Sequence, residues 1–335
     1  MIEIFERHPQ NPIITPGKET WRQVAVFNPG VVLTGDNKFI LYERAAGSLR
    51  PFHSSIGALI SDDGVNFELA REEPILTGEM VGFPDASIED ARVTKIDDLY
   101  YLVFAMQPYS FDCWPNGIGV PEYYSSHYRE WKLNKLSPMM TQSGIAVSSN
   151  GFDFTFHSFT TPRGIDDRDN VLFPGKFNGK FALLRRPQQF VGERYGTDKP
   201  GIWISFSEDL NFWEEPGSIA FPEQLWEEKK IGAATTPIET PEGWLCFYHG
   251  VDAYDVYRLG AMLLDINNPA KVIARTKNPI MQPTMYYEKY GLVIPNVIFP
   301  TDNVLKDDSI FMYYGCCDTS ISLATCELDK LLAIF

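Results

Sequence analysis

Two carboxylates and an arginine fall within four residues at Glu89-Asp90-Ala91-Arg92, and the charged pairs Arg168-Asp169 and Arg185-Arg186 follow further along the chain. Side chains alternate on an extended strand, so Asp90 and Arg92 share one face and Glu89 points away. Asp90 is therefore the better candidate for a general acid. A carboxyl in an enclosed site keeps its proton near neutrality when burial outweighs the positive charge around it. An Asp90–Arg92 structural pair is the competing reading. Arg168, Arg186 and His249 would make a cationic cluster suited to a phosphate or carboxylate, because guanidinium forks match those oxygens. Charge balance for Asp169 and Asp90 is the alternative. The sequence has no GxSxG, HExxH, GxGxxG or GxxxxGK[ST] pattern and its five histidines are dispersed, which leaves serine hydrolases, zinc proteases and nucleotide enzymes little support. No metal and no cofactor is required.

Residues so far apart need a fold that gathers them, and an internal repeat points to one. A turn, an aromatic-rich apolar strand and polar residues recur five times, as DNKFILYER from Asp36, DDLYYLVFAMQ from Asp97, NGKFALLRRP from Asn178, EGWLCFYHG from Glu242 and DDSIFMYYG from Asp307. Each copy follows a run with polar first residues: FNPGVVL from Phe27, EDARVTKI from Glu89, RDNVLFPGKF from Arg168, ATTPIE from Ala234 and PNVIFP from Pro295. A third run follows each copy, and three of these runs lead into the turns SDDGVNF, SSNGFDF and SEDLNFW. Five multi-strand meanders of about 60 residues read as an all-β, five-bladed β-propeller. A β-sandwich or two β domains is the other possibility.

In a blade, the innermost strand starts where the second strand finishes. Asn28, Glu89, Asp90, Arg168, Asp169 and Asn296 should then ring one mouth of the channel. Glu43, Arg44, Gln107, Arg185, Arg186, His249 and Tyr314 join them from the second strands. One propeller domain is expected over residues 1–335, interrupted at 108–142 by an insertion lying over one face. The C-terminal CELDKLLAIF and the segment from Met1 to Pro16 are expected to close the ring.

The chain has 335 residues, 44% hydrophobic and 14% aromatic, ample for a buried core. A formal charge of -15 argues against nucleic acid or an anionic membrane as partner, since either needs clustered Lys and Arg. A small molecule is the expected partner. Glu3, Glu6 and Arg7 stand where a signal peptide would be apolar, and the five cysteines form no metal-ligand spacing, so a cytoplasmic setting is expected.

Several segments together resemble glycoside hydrolase family 130, the β-mannoside phosphorylases and related β-mannosidases. They are FNPG at 27–30, IEDARVTK at 88–95, RDNVLFPGKFNGKFALLRRP at 168–187, KKIGAATTPIET at 229–240, YHGVD at 248–252, YRLGAMLLD at 257–265 and YYGCCDTSISLA at 313–324. The resemblance implies a five-bladed propeller, with Asp90 as the general acid of an inverting reaction. The acid's proton would reach the glycosidic oxygen through a mannose hydroxyl, while inorganic phosphate, the co-substrate, attacks to give α-mannose 1-phosphate. It further implies phosphate-binding roles for Arg168, Arg186, His249 and Tyr257, and mannose-binding roles for Asn28, Arg44, Asp169 and Asp318. Arg92, on the face of Asp90, is counted with the substrate-binding residues.

Family members commonly read EDPR and LHRP where this chain has EDAR and LRRP. Arg185 should face away from Arg186 and leave the phosphate site unchanged. In the insertion, Trp114, Tyr123 and Tyr124 could stack on sugar rings or simply pack the loop, and its exposed aromatics could join copies of the chain into a homo-oligomer. A β-mannosidase using water is the alternative activity. It would need a carboxylate base opposite Asp90, for which Glu227 and Glu228 are candidates, with solvated loop acids as their bland reading. A carbohydrate-binding propeller without catalysis is a third class.

Overall fold

The structure, a computed structural model, describes residues 3–113, 115–133 and 140–335. A two-residue strand β1 (Glu6–Arg7) precedes the first blade, which comprises β2 (Ala25–Leu33), β3 (Phe39–Ala46), β4 (Ser54–Ser61) and β5 (Glu68–Leu69). The second has β6 (Ser87–Ile96), β7 (Leu99–Gln107), β8 (Gln142–Ser148) and β9 (Thr155–Phe159). In the third are β10 (Asp167–Phe177), β11 (Lys180–Pro187), β12 (Ile202–Ser207) and β13 (Gly217–Ala220). The fourth holds β14 (Lys230–Ala233), β15 (Ile238–Thr240), β16 (Gly243–Val251), β17 (Tyr257–Leu264) and β18 (Val272–Arg275). The fifth has β19 (Ile298–Lys306), β20 (Ser309–Cys316) and β21 (Ser320–Glu327), with β1 as its outer strand. These five antiparallel sheets form a ring, a five-bladed β-propeller.

Both chain ends meet the last blade, though differently. The N-terminal strand pairs Glu6 with Thr325 and Arg7 with Ala324, whereas the C-terminal run forms a short helix, Leu328–Leu332, that buries Leu331. In the fourth blade the inner strand begins at Lys230, four residues before the expected Ala234. Ala234, Thr235, Thr236 and Pro237 separate β14 from β15, and both pair with β16. Proline carries no N–H for the ladder, so the strand splits there.

Neighbouring blades are joined by apolar packing and by two tyrosines. Tyr313 donates its hydroxyl to the Gly64 carbonyl at 2.7 Å, and Tyr42 donates to that of Gly151 at 2.9 Å. Gly64 and Gly151 sit at φ 76° and 78° in the repeated Ser-x-Asx turns, a conformation that glycine adopts without strain. Midway along the inner strands, the buried Asp302 ties four blades together. Its carboxylate accepts backbone N–H bonds from Val31, Val93, Thr236 and Asn303 at 2.8–3.3 Å.

The insertion lies between β7 and β8 and carries a helix at Ser125–Leu133. Its Tyr109, Tyr124 and Met140 form a small apolar cluster packed against Phe83. Tyr124 is only 1% exposed, so it packs the loop and presents no face to a sugar. Tyr123 is partly exposed and donates its hydroxyl to Asp85, and Trp114 lies outside the described residues.

Candidate active site

A cavity of about 230 Å³ opens where the inner strands start. In the first three blades one local device builds its wall. Asn28, Asp90 and Asp169 have φ of 45°, 54° and 54°, and the ladder slips at each, between Phe27 and Gly30, Glu89 and Arg92, and Arg168 and Val171. Asn and Asp tolerate the left-handed conformation better than other side chains, and the bulge turns two successive residues the same way. Phe27 with Asn28, Glu89 with Asp90, and Arg168 with Asp169 all line the cavity. Glu89 therefore does not point away from Asp90, as strict alternation would require, because the alternation is interrupted between them.

Asp90 Oδ1 accepts hydrogen bonds from Arg44 Nη1 at 2.9 Å and Asn28 Nδ2 at 2.8 Å. Among the described residues no hydrogen bond reaches Oδ2. Arg44 also donates from Nη2 to Glu89 Oε1 at 2.6 Å and lies over the Phe27 ring. Burial raises the proton affinity of Glu89, and Asp90 adds to that while Arg44 opposes it. Asp318, at φ 55° in the turn after β20, accepts the Ile294 N–H, and burial pushes its carboxyl up to about 6. Arg44 is thus set among three carboxylates, an arrangement that favours keeping a proton within the cluster.

The other side of the cavity is cationic. Arg186 donates from Nε to Asp169 Oδ2 at 2.5 Å, yet its Nη1 is buried with no hydrogen-bond partner among the described residues. Among the described residues neither ring nitrogen of the buried His249 has a hydrogen-bond partner, although Nε2 lies 3.5 Å from Asp169 Oδ2. Burial pushes His249 down to about 3, so this contact joins a neutral imidazole to a carboxylate and is no ion pair near neutrality. Burial would raise the proton affinity of Asp169, but the guanidinium of Arg186, and then that of Arg92, hold it below the usual carboxylate range. Arg168 donates to Asp166 at 2.9 and 3.2 Å, and Tyr257 lies 5.8 Å from His249 ring to ring.

Of the residues expected at the site, Asp90, Arg168, Arg186, His249, Tyr257, Asn28, Arg44, Asp169 and Asp318 all line this one cavity. Arg92 stands behind the wall, 2% exposed, with Nε donating to the Ala234 carbonyl at 2.8 Å and Nη2 facing Asp169 at 3.4 Å. The residue following a bulge is turned out of the face it would otherwise share with Asp90. Glu43, Arg185 and Tyr314 also turn away, to Arg22, Asp167 and Glu288 respectively. Asn296 is not in the wall. Glu227 accepts from Tyr248 Oη at 2.8 Å and pairs with Arg275 at 2.8 Å, so it serves the fourth blade, and neither it nor Glu228 reaches the cavity.

Sequence reading missed Lys230, a cavity residue whose ammonium lies 5.4 Å from the Tyr257 ring centre. It opens the fourth blade as Arg168 opens the third, and placing that strand's start at Ala234 concealed it.

The family model described as β-1,4-mannooligosaccharide phosphorylase matches residues 2–113 and 124–335. A 1,2-β-oligomannan phosphorylase from Thermoanaerobacter sp. strain X514 is 33% identical, with 99% of each chain covered. A β-1,2-mannobiose phosphorylase from the same organism is 36% identical over 96% of each chain. The solved structure of β-1,2-mannobiose phosphorylase from Listeria innocua, in complex with β-1,2-mannobiose, superposes with a TM-score of 0.77 at 25% identity, covering 98% of both chains.

Proposed function

Because this chain belongs to glycoside hydrolase family 130, we propose that it is an inverting phosphorylase that cleaves a terminal β-mannosyl linkage with inorganic phosphate. The unpartnered nitrogens of Arg186 and His249, buried beside Arg168 and Lys230, carry the phosphate half of this reading. Leaving buried donors unpaired is costly, and an oxyanion bound there would complete them.

In the proposed reaction Asn28, Arg44, Asp169 and Asp318 hold the mannose. Asp90 gives its proton, through a mannose hydroxyl, to the glycosidic oxygen. A phosphate oxygen, oriented by Arg168, Arg186, His249 and Tyr257, attacks the anomeric carbon from the opposite face. The bond from that carbon to the leaving sugar breaks, α-mannose 1-phosphate forms, and Asp90 is left as a carboxylate. A hydrolase of this geometry would need a free carboxylate base across from Asp90. Asp169, the carboxylate on the cationic side of the cavity, is held by Arg186, which favours phosphate over water. The five free cysteines accord with a reducing cytoplasm, and among the described residues no helix is long and apolar enough to cross a membrane.

Incubation with β-1,2-, β-1,3- and β-1,4-mannobiose, with and without phosphate, tests the proposal. Phosphate-dependent release of mannose 1-phosphate is expected, first with the β-1,2 linkage, on which two similar relatives act by name. Free mannose released at the same rate without phosphate would overturn it.

A further inference from the structure

The bulges that turn Asn28 and Asp90 into the cavity lie back to back in the first two blades: a Cβ on Gly30 would fall 2.9 Å from the Ala91 carbonyl oxygen. Both are anchored from the fifth blade, where the ladder of β19 with β20 slips between Pro300 and Asp302. Thr301, buried in that slip, donates its hydroxyl at 2.9 Å to the carbonyl of Pro29, the residue after Asn28. Asp302 Oδ2 accepts the Val31 N–H at 3.3 Å and the Val93 N–H at 2.8 Å, just beyond the two bulges. Burial pushes the Asp302 carboxyl up to about 6, and the Val93 and Val31 N–H groups oppose this, so near neutrality the shared acceptor is a carboxylate. A charged acceptor holds an N–H more strongly than a neutral one.

Residues other than glycine keep a positive φ only where the surrounding structure over-determines the backbone. At Asp90 the ladder fixes one side, where Glu89 pairs with Ala105, and the bond to Asp302 fixes the other at Val93. At Asn28 the ladder holds Phe27 against Arg44, while Thr301 and Asp302 hold Pro29 and Val31. The inner edge of a blade faces the channel and not another strand, so an N–H buried there needs an acceptor from elsewhere.

We infer that Thr301 and Asp302 are positioning residues for the general acid: from the fifth blade they fix the backbone on which Asn28 and Asp90 meet, without touching the substrate. This rests on Asp90 being the acid of the proposed reaction. Asn28 Nδ2 donates to Asp90 Oδ1 at 2.8 Å, so a movement of either strand redirects the carboxyl that offers the proton. A misplacement of about 1 Å from a distant change can lower a rate a hundredfold.

The test compares a leaving group that needs the acid with one that does not. In phosphorolysis of the active mannobiose the departing oxygen takes up a proton that began on Asp90, whereas β-mannosyl fluoride releases fluoride ion without one. In Asp302→Asn the charge is lost and one oxygen becomes an NH2 that faces N–H donors. Its kcat on mannobiose should fall about tenfold, the scale of one hydrogen bond, while its kcat on β-mannosyl fluoride stays within about twofold of wild type. Thr301→Val, which keeps the shape and deletes the hydroxyl, should show the same selective loss at about threefold. Equal losses on both substrates, or no loss on mannobiose, overturn the inference, because a residue that merely supports the fold cannot tell one leaving group from the other. Should Asp302→Asn fail to fold, Thr301→Val is held to the same criteria. Asp90→Asn, run alongside, should lose far more rate on mannobiose than on the fluoride. An equal loss there overturns Asp90 as the acid, and the inference with it.

Discussion

Arg186 is oriented by Asp169 through its Nε at 2.5 Å, while its Nη1 stays buried and unpartnered beside His249. The carboxylate aims the guanidinium and leaves part of its fork for another group. Lysine carries the charge but cannot offer two parallel donors. Arg186→Lys should therefore raise the KM for phosphate at least about tenfold and leave that for the mannoside within about twofold, as read from initial rates at varied phosphate. Equal changes in both constants would mean that Arg186 does not address phosphate separately.

Gly232 makes the same cluster possible by having no side chain. A Cβ there would fall 2.6 Å from His249 Cε1 and 2.9 Å from Arg186 Nε, and closer still to Asp169 Oδ2. These are too short for any carbon, so Gly232→Ala must push the cluster apart. Weak phosphate saturation in a folded variant is the expected outcome, although no charge has been altered. Phosphate titrations alongside thermal melts check it, and normal phosphate saturation would show that the cluster tolerates displacement.

Asp90→Asn keeps an oxygen that can accept from Arg44 and Asn28 but loses the acid. Its kcat should fall at least about a hundredfold, the usual scale for a removed general acid, with a melting temperature close to that of wild type. Rates on the active mannobiose test this, and a loss below about tenfold would move the acid elsewhere.

Burial raises Asp318 from an ordinary value near 4 to about 6. A carboxyl whose folded pKa is raised binds more protons in the folded state, so its contribution is fully present below about pH 4 and is lost as pH rises through 6. Asp318→Asn removes that loss. The variant should gain stability over wild type by up to about 3 kcal/mol at pH 7.5, and the gain should shrink toward pH 4. Urea unfolding at both pH values checks the sign, and a gain that grows on acidification would contradict it.

Much of this molecule can be read from the chain itself, since five aromatic-rich repeats imply five blades, and strand ends with acids and arginines imply a shared mouth. Asn28, Asp90 and Asp169 even advertise the bulges, being the residue types that accept a left-handed backbone. Their effect was not readable, because alternation assigns a face only while the ladder stays in register. Glu89 therefore looks inward against expectation, and Arg92 ends behind the wall.

What the sequence determined by itself is local: the turn residues, the strand periodicity and the charged types at strand ends, each set by near neighbours along the chain. Only the tertiary structure decided that Lys230 joins the cations, that Glu227 serves the fourth blade, that Tyr124 is packed away, and that Asp302 bonds the inner strands of other blades. Each of those depends on which groups from distant blades arrive within a few ångströms, and ring closure fixes that through contacts no single strand encodes.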